Sequence, residues 1–238
     1  QKPRWGYRRM TEWLRKQGHP FNAKRVQRVW ASAGMSLPQR RPRRKIRRDA
    51  PREKPAQKVN DVWAYDFVHD WCVNGQRLKC LVIIDESSRE CLAIEVATSI
   101  DGNRVMGTLW RLFQRLGPPK FLRSDNGPEF ICQAVTDWLA KIGTDTIFVE
   151  PGKPWQNGLV ESFNARFRDE CLNMELFLNR PDAINIIEGW RNQYNEEHLH
   201  SSLGYRTPAE VGRRVRAIDA FIENPTDLQH SPLEAVAH

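Results

Sequence analysis

Three runs rich in β-branched and aromatic residues, Val62 to Cys72, Leu78 to Asp85 and Glu90 to Thr98, follow one another with only Asn74-Gly75 and Ser87-Ser88-Arg89 as turn signals between them. Connections that short join neighbouring antiparallel strands, so this stretch predicts a three-stranded meander. The period then changes. Asp101 is placed to cap a helix with Val105, Leu109, Leu112, Phe113 and Leu116 on its apolar face, closed by Gly117-Pro118-Pro119. A short strand at Lys120 to Ser124 follows, then a helix from Glu129 to Ile142 closed by Gly143, and a strand from Thr146 to Val149. A Pro/Gly-rich loop, Pro151 to Gly158, leads into a helix from Leu159 to Cys171. Later strands that return across a helix can lie parallel, so the order is that of a mixed α/β sheet. At 238 residues, 40% of them hydrophobic, the chain is long enough for one such domain plus an appendage.

Charge locates the appendage. Residues 1 to 58 hold 19 Lys and Arg against 3 Asp and Glu, while residues 59 to 238 hold 18 against 26. The net +8 therefore divides into +16 on the first quarter and -8 on the rest. A dense basic block beside an acidic body is the footprint expected for a polyanion such as nucleic acid, with a solvated tail as the competing reading. An anionic membrane surface fits less well, because the Arg run has no apolar face. Within the block, Met10, Trp13 and Leu14 recur at helical spacing up to Gly18-His19-Pro20. Asn22 can cap a second helix with Val26, Val29 and Trp30 on one face and Lys24, Arg25 and Arg28 on the polar side, ending at Gly34. This is a helix-turn-helix candidate, although many helical hairpins are merely structural. From Ser36 to Asn60, four prolines alternate with ten Lys and Arg residues and no apolar period, which reads as an extended basic linker.

Other classes are excluded more simply. The longest apolar run, Cys80 to Ile84, is far short of a membrane span, and no charged-then-apolar leader opens the sequence. The expectation is a soluble, non-secreted protein; with Gln at position 1, the sequence reads as a piece of a longer chain. The five cysteines Cys72, Cys80, Cys91, Cys132 and Cys171 contain no C-x-x-C pair, so neither a disulfide framework nor a structural zinc site is expected. The histidines read as turn, strand and loop residues and the nine tryptophans mostly as core.

Three carboxylates stand out by position. Asp66 lies mid-strand in WAYDFVHD, where an ionised side chain is costly to bury without a partner. Asp125 lies at the carboxyl end of the fourth strand in RSDNGPEF, where open α/β sheets place their sites. Glu161 lies near the start of the last helix, in NGLVESFNARF. Three carboxylates brought together repel by about 4 kcal/mol per pair at about 4 Å in an effective dielectric of about 20, so such a cluster calls for cations. All-oxygen ligands suit Mg²⁺ or Mn²⁺, and two such ions serve in-line phosphoryl displacement. Spacing alone does not select this trio among 29 acidic residues. Asp85 is a rival whose ordinary role is turn formation with Ser87 and Ser88, and Glu129 equally suits the first turn of a helix.

The motifs WAYDF, RSDNGPEF and PGKPWQNGLVESFNARFRDECLN resemble those of insertion-sequence transposases with a retroviral-integrase-like core, in particular the second-reading-frame product of the third large insertion-sequence family. The thirty-five residues between Asp125 and Glu161 match that family's hallmark interval, and YNEEHLHSSLGYRTPAE, Tyr194 to Glu210, resembles its terminal signature. The resemblance runs from about Tyr7 to Val211. It departs at His198-Leu199-His200, where the family commonly has Arg-Pro-His, and the tail after Arg216 matches nothing.

The resemblance implies an α/β, RNase H-like integrase core, a mixed five-stranded sheet flanked by helices, over residues 59–216. A helix-turn-helix segment at 1–35 and a basic linker at 36–58 precede it, and a tail at 217–238 follows. It implies a DNA transposase in which Asp66, Asp125 and Glu161 bind two Mg²⁺ ions, or Mn²⁺, and catalyse cleavage and strand transfer of insertion-sequence ends. The partners implied are double-stranded terminal-repeat and target DNA and further copies of the chain when two ends are synapsed, with no membrane, in a bacterial cytoplasm close to the nucleoid. Asn157, if helical, with Glu161, Asn164 or Ala165, and Arg168 fall on one helical face, so Arg168 is placed to meet a phosphate beside Glu161, with an ordinary solvated stripe or an ion pair with Asp169 or Glu175 as the alternative. Asn126, Gln156 and Asn157 are expected at a DNA end, with Trp155 as either a contact or a packing anchor, and Lys24, Arg25, Arg28, Arg43 and Arg44 on the duplex. No zinc-binding domain of the retroviral kind is written in the sequence. Two other readings remain at this stage, a same-fold nuclease that does not join ends and a catalytically decayed DNA-binding protein.

Overall fold

The computed structural model describes residues 5–36, 54–125, 127, 133–150 and 154–223, with side chains at 154, 155 and 219–223 outside the description. The meander forms as expected, from β1 (Val62–Trp71), β2 (Arg77–Asp85) and β3 (Cys91–Ala97). Two further strands, β4 (Phe121–Ser124) and β5 (Asp145–Phe148), complete a five-stranded sheet of order β3-β2-β1-β4-β5. β1 pairs antiparallel with β2 and parallel with β4, and β4 pairs parallel with β5. The mixed sheet predicted from the element order is therefore present, with β1 at its centre.

Strand alternation sends the residues of β1 to opposite faces. Trp63 and Tyr65 join a cluster with Val105, Leu109 and Leu139 of α3 (Gly102–Leu116) and α4 (Gln133–Ile142). Ala64 and Val68 join a second cluster with Val160, Phe163 and Phe167 of α5 (Gly158–Phe167) and with Ala183, Ile187 and Tyr194 of α6 (Arg180–Glu197). The capping of α3 is as read: Asp101 Oδ1 accepts from Arg104 N at 2.9 Å.

The helix expected to reach Cys171 keeps α-helical bonding only to Phe167 and widens into a π-turn over Arg168–Leu172, which reseats Cys171 and Leu172 in the core. The element reading stops short of α6, where Asn179 caps by accepting from Asp182 N at 3.0 Å. A final helix, α7 (Pro208–Glu223), runs through residue 216 without a break.

The two basic helices also form, α1 (Tyr7–Lys16) and α2 (Ala23–Ser32), with Asn22 accepting from Lys24 N at 2.8 Å. Val26 is buried, but Val29, expected on the same apolar face, is 59% exposed. α1 rests on the core: Trp5 is 2% exposed and meets His198 edge-on at 6.0 Å, and Lys16 Nζ bonds Glu210 Oε1 at 2.7 Å. Cys72, Cys80, Cys91 and Cys171 are free and buried.

Candidate active site

The parallel pairing of β1 and β4 runs through Ala64↔Arg123. Two residues further along each strand stand Asp66 and Asp125, which are thus level with each other where β4 ends. Asp66 shares its face of the sheet with Ala64 and Val68, the face covered by α5. Glu161 lies in the first turn of α5, and one turn later Asn164 Nδ2 donates to Asp66 Oδ2 at 2.8 Å. The middle of β1, the end of β4 and the first turn of α5 therefore bring Asp66, Asp125 and Glu161 within electrostatic reach of one another.

Asp66 bears most of the strain of that arrangement. Burial raises its carboxyl to about 6; the amide of Phe67, donating to Oδ1 at 2.7 Å, opposes the rise, and the negative charges of Asp125 and then Glu161 add to it. Asn164 favours the ionised form through its hydrogen bond. Asp125 and Glu161 are exposed, and Asp125 Oδ1 accepts from Gly127 N at 3.1 Å, so the turn after β4 fixes its rotamer. Among the described residues no three His, Cys, Asp or Glu side chains close to metal-holding distance, so the trio is an open set of mutually repelling oxygens.

The rival Asp85 has another role. It is 1% exposed and accepts from Asn60 N (2.7 Å), Ser87 N (3.0 Å), Ser88 N (2.7 Å) and Ser88 Oγ (2.9 Å), which binds the β2–β3 turn and leaves little lone-pair capacity for a ligand. Glu129 and Asn126 lie outside the described residues, as do Arg43 and Arg44.

Arg168 is exposed and its Nη2 donates to His69 O at 2.9 Å, so α5 is stitched to β1 at Asp66 and again near His69. Gln156 is 6% exposed and engages Glu150 twice, accepting from its N at 2.9 Å and donating to Oε1 at 3.1 Å. Asn157 is 4% exposed at the N-terminus of α5, and its Oδ1 is buried with no hydrogen-bond donor. Lys24, Arg25 and Arg28 are exposed on α2.

Sequence reasoning missed Arg123, which precedes Asp125 by two residues. It is fully buried, donates from Nε to Glu86 Oε1 at 2.9 Å and from Nη2 to Lys54 O at 3.0 Å, and so anchors β4 behind the site. Helical spacing places Asn164 on the face of Glu161, but without a role; the structure gives it one, as a donor to Asp66.

A five-stranded mixed sheet with one carboxylate within its central strand and another just past the neighbouring strand, preceded by two basic helices, defines an integrase-type catalytic core carrying a helix-turn-helix-like domain. The chain matches the Integrase core domain over residues 56–154 and again over 142–208, and an HTH-like domain over 1–43. It is 38% identical over 214 residues to an uncharacterized 31.7 kDa protein of insertion element IS407 from Burkholderia multivorans, spanning 90% of this chain and 77% of that protein. It is 29% identical over 239 residues to transposase InsD of insertion element IS2 from Escherichia coli, spanning 93% and 77%. Among solved structures, the HTLV-2 integrase catalytic core domain in complex with magnesium superposes with a TM-score of 0.54 at 18% identity, over 66% of this chain and 98% of that one. The chain belongs to the insertion-sequence transposases with an integrase-like core. Its activity is that of a polynucleotidyl transferase in DNA transposition.

Proposed function

We propose that Asp66, Asp125 and Glu161 are the catalytic carboxylates of this transposase and that they cut insertion-sequence ends and join them to target DNA. The level register of Asp66 and Asp125 on adjacent parallel strands, with Glu161 on the helix that covers them, carries this reading. Six carboxylate oxygens and no sulfur or imidazole suit hard divalent ions, two Mg²⁺ or Mn²⁺. When bound, such ions would supply charge to activate the attacking oxygen and to steady the departing one. The HTLV-2 core solved with magnesium supports the same choice of ion.

The chain's own residues do the positioning. Asn164 and the Phe67 amide hold the Asp66 carboxylate in one rotamer, and Gly127 N does the same for Asp125. Water first attacks the scissile phosphodiester; a bond forms from its oxygen to phosphorus, and the bond to the 3′ oxygen breaks, leaving a 3′-hydroxyl. That hydroxyl then attacks a target phosphodiester in the same way, with no covalent link to the enzyme. Residues 59–216 serve as the catalytic unit, 1–35 as the DNA-binding hairpin, 36–58 as the basic linker and 217–238 as a tail. Lys24, Arg25 and Arg28 meet the duplex, with Arg43 and Arg44 of the linker. Arg168 and Asn157 border the catalytic end, whereas Gln156, committed to Glu150, is left out of the DNA contacts. Two ends require at least two copies of the chain. Among the described residues no helix is long and apolar enough to cross a membrane, which fits work on DNA in the bacterial cytoplasm.

The test is an end-cutting assay on duplex oligonucleotides from the DNA flanking the gene, with Mg²⁺ or EDTA. Metal-dependent nicks at a fixed position, followed by joined products, are expected. Nicks without joined products would reduce the enzyme to a nuclease, and binding without cutting would overturn the catalytic assignment.

A further inference from the structure

Successive helical residues are turned by about 100°, so Ser162 and Arg166 of α5 face away from Glu161 and Asn164. They border a cavity of about 290 Å³ lined in part by Ile84, Leu159, Phe163 and Tyr194, whose other polar side chains come from three separate parts of the chain. α1 contributes Arg9, the turn between β2 and β3 contributes Arg89, and the segment after α6 contributes His200 and Ser201. Three guanidinium groups distant in sequence thus line one small space, with hydroxyls and an imidazole between them.

Their charge is compensated in part. Among the described residues Arg166 pairs with Glu170, Nε to Oε1 at 3.7 Å, and the same carboxylate also acts on Arg9, which lies over the Trp5 ring at 5.5 Å. Glu86, whose field reaches Arg89, already accepts from Arg123 at 2.9 Å. Arg89 Nη1 and His200 Nε2 are buried and have no hydrogen-bond partner. Burial, and then the charge of Arg166, lowers Arg9 to about 10. Burial, and then the charges of Arg166, Arg9 and Arg89, lowers His200 to about 3, so its ring is neutral at working pH and a donor in its Nε2–H tautomer. Arg89 is held at φ 64, a left-handed conformation uncommon for a long side chain, in the turn that Asp85 binds. Like charges gathered around a hollow and only partly offset by acids favour an anion there. Guanidinium forks and hydroxyls match a tetrahedral oxyanion.

We propose that this cavity is a second anion site of the transposase, on the far side of α5 from the carboxylates, and that it takes one phosphate group. A backbone phosphodiester of bound DNA and a free phosphate share this chemistry. Because Arg9 belongs to α1, filling the site ties the helix-turn-helix segment to the core. The site does not depend on the catalytic reading, since none of its residues is one of the three carboxylates.

The experiment uses the full chain, wild type and the variants Arg9→Gln and Arg89→Asn, which alter separate elements; Asn tolerates the left-handed backbone at 89. Thermal unfolding is followed with inorganic phosphate against sodium chloride at matched ionic strength. At about ten times the dissociation constant, phosphate should raise the wild-type Tm by roughly 3–6 °C. Both variants should lose that rise, and in chloride alone each should unfold no lower than wild type, because a repelling charge has gone. Asp125→Asn should keep the full phosphate response even where it abolishes cutting. No phosphate-specific rise in wild type, or an equal rise in both variants, overturns the proposal. A second arm measures affinity for duplex DNA against salt. A slope shallower by about 0.9 in Arg89→Asn assigns the site to a strand phosphate, and an unchanged slope with the phosphate response intact assigns it to the free anion.

Discussion

On one face of α5, Glu161 joins Asp66 and Asp125; on the other, Arg166 joins Arg9 and Arg89. One helix thus separates a gathering of negative charge from a gathering of positive charge, the latter offset only in part, by Glu170 and Glu86. The contrast with Arg123 and Glu86, a few residues away, is instructive. That pair is equally ionic and fully buried, yet each charge has its partner at 2.9 Å. On the readings proposed above, charges that serve the fold are paired and charges meant for a ligand face their own kind, at a cost in stability.

The largest effect that would break this comparison is on catalysis. Asp125→Asn, Glu161→Gln or Asp66→Asn should each lower strand cleavage on the order of 10⁴-fold, as loss of an essential catalytic group does, while DNA affinity stays within a few-fold of wild type. Gel-based cleavage and binding assays on the same preparation read both. Turnover retained in any one of them removes that residue from the site.

The paired charges make the next prediction. Arg123→Met strands a buried Glu86, so the fold should lose about 3–5 kcal/mol, measured by urea unfolding. The double change Arg123→Met with Glu86→Leu should recover much of that loss. If the single variant is neutral, the distinction between paired and ligand-directed charge fails.

Unpaired charge predicts the opposite sign. Raised to about 6 from a carboxylate's usual value near 4, Asp66 binds its proton more tightly in the folded state. Its contribution is fully present below pH about 4 and is lost as pH rises through about 6. Asp66→Asn removes that step, so at pH 8 without divalent metal the variant should be more stable by about 1–3 kcal/mol, and at pH 3 the advantage should vanish. The Asn164 amide can rotate to receive the new donor, because its Oδ1 is buried without a hydrogen bond. Denaturant unfolding at the two pH values checks this; an advantage that does not change with pH would assign it to packing.

These sites differ in how far they are legible in sequence. Local signals make Asp66 and Asp125 candidates, one within a strand and one ending a strand, but the trio is selected by its resemblance to the family motifs, and the level register requires knowing that β4 pairs with β1. Asp85 carries the same local signal, and only its four hydrogen bonds show that it belongs to a turn. The anion cavity leaves no trace of that kind. Arg9, Arg89 and Arg166 come from three elements with no shared motif, and His198-Leu199-His200, read as a peripheral loop, proves buried at His198 and Leu199 and lines the cavity at His200. Helix α6 was legible, with Ala183, Ile187, Trp190 and Tyr194 at helical spacing behind an Asn179 cap, but the reading of elements stops at Cys171. The π-turn after Phe167 has no sequence period to announce it.

The smallest effect separates exposed cations from buried ones. Lys24, Arg25 and Arg28 stand in solvent on α2, where water and salt already screen their charge, so holding them costs the fold almost nothing. Lys24→Gln should therefore leave stability within about 0.5 kcal/mol, unlike a change at Arg123 or Asp66. Its signature is in binding. Each lost phosphate contact releases one counterion fewer, so the slope of log affinity against log salt should become shallower by about 0.9, and the triple change at Lys24, Arg25 and Arg28 by roughly 2 to 3. Fluorescence anisotropy with a labelled duplex across a salt series measures it. A slope unchanged in the triple variant would move the DNA-contacting surface off α2, leaving the hairpin as a device for carrying Arg9 to the core.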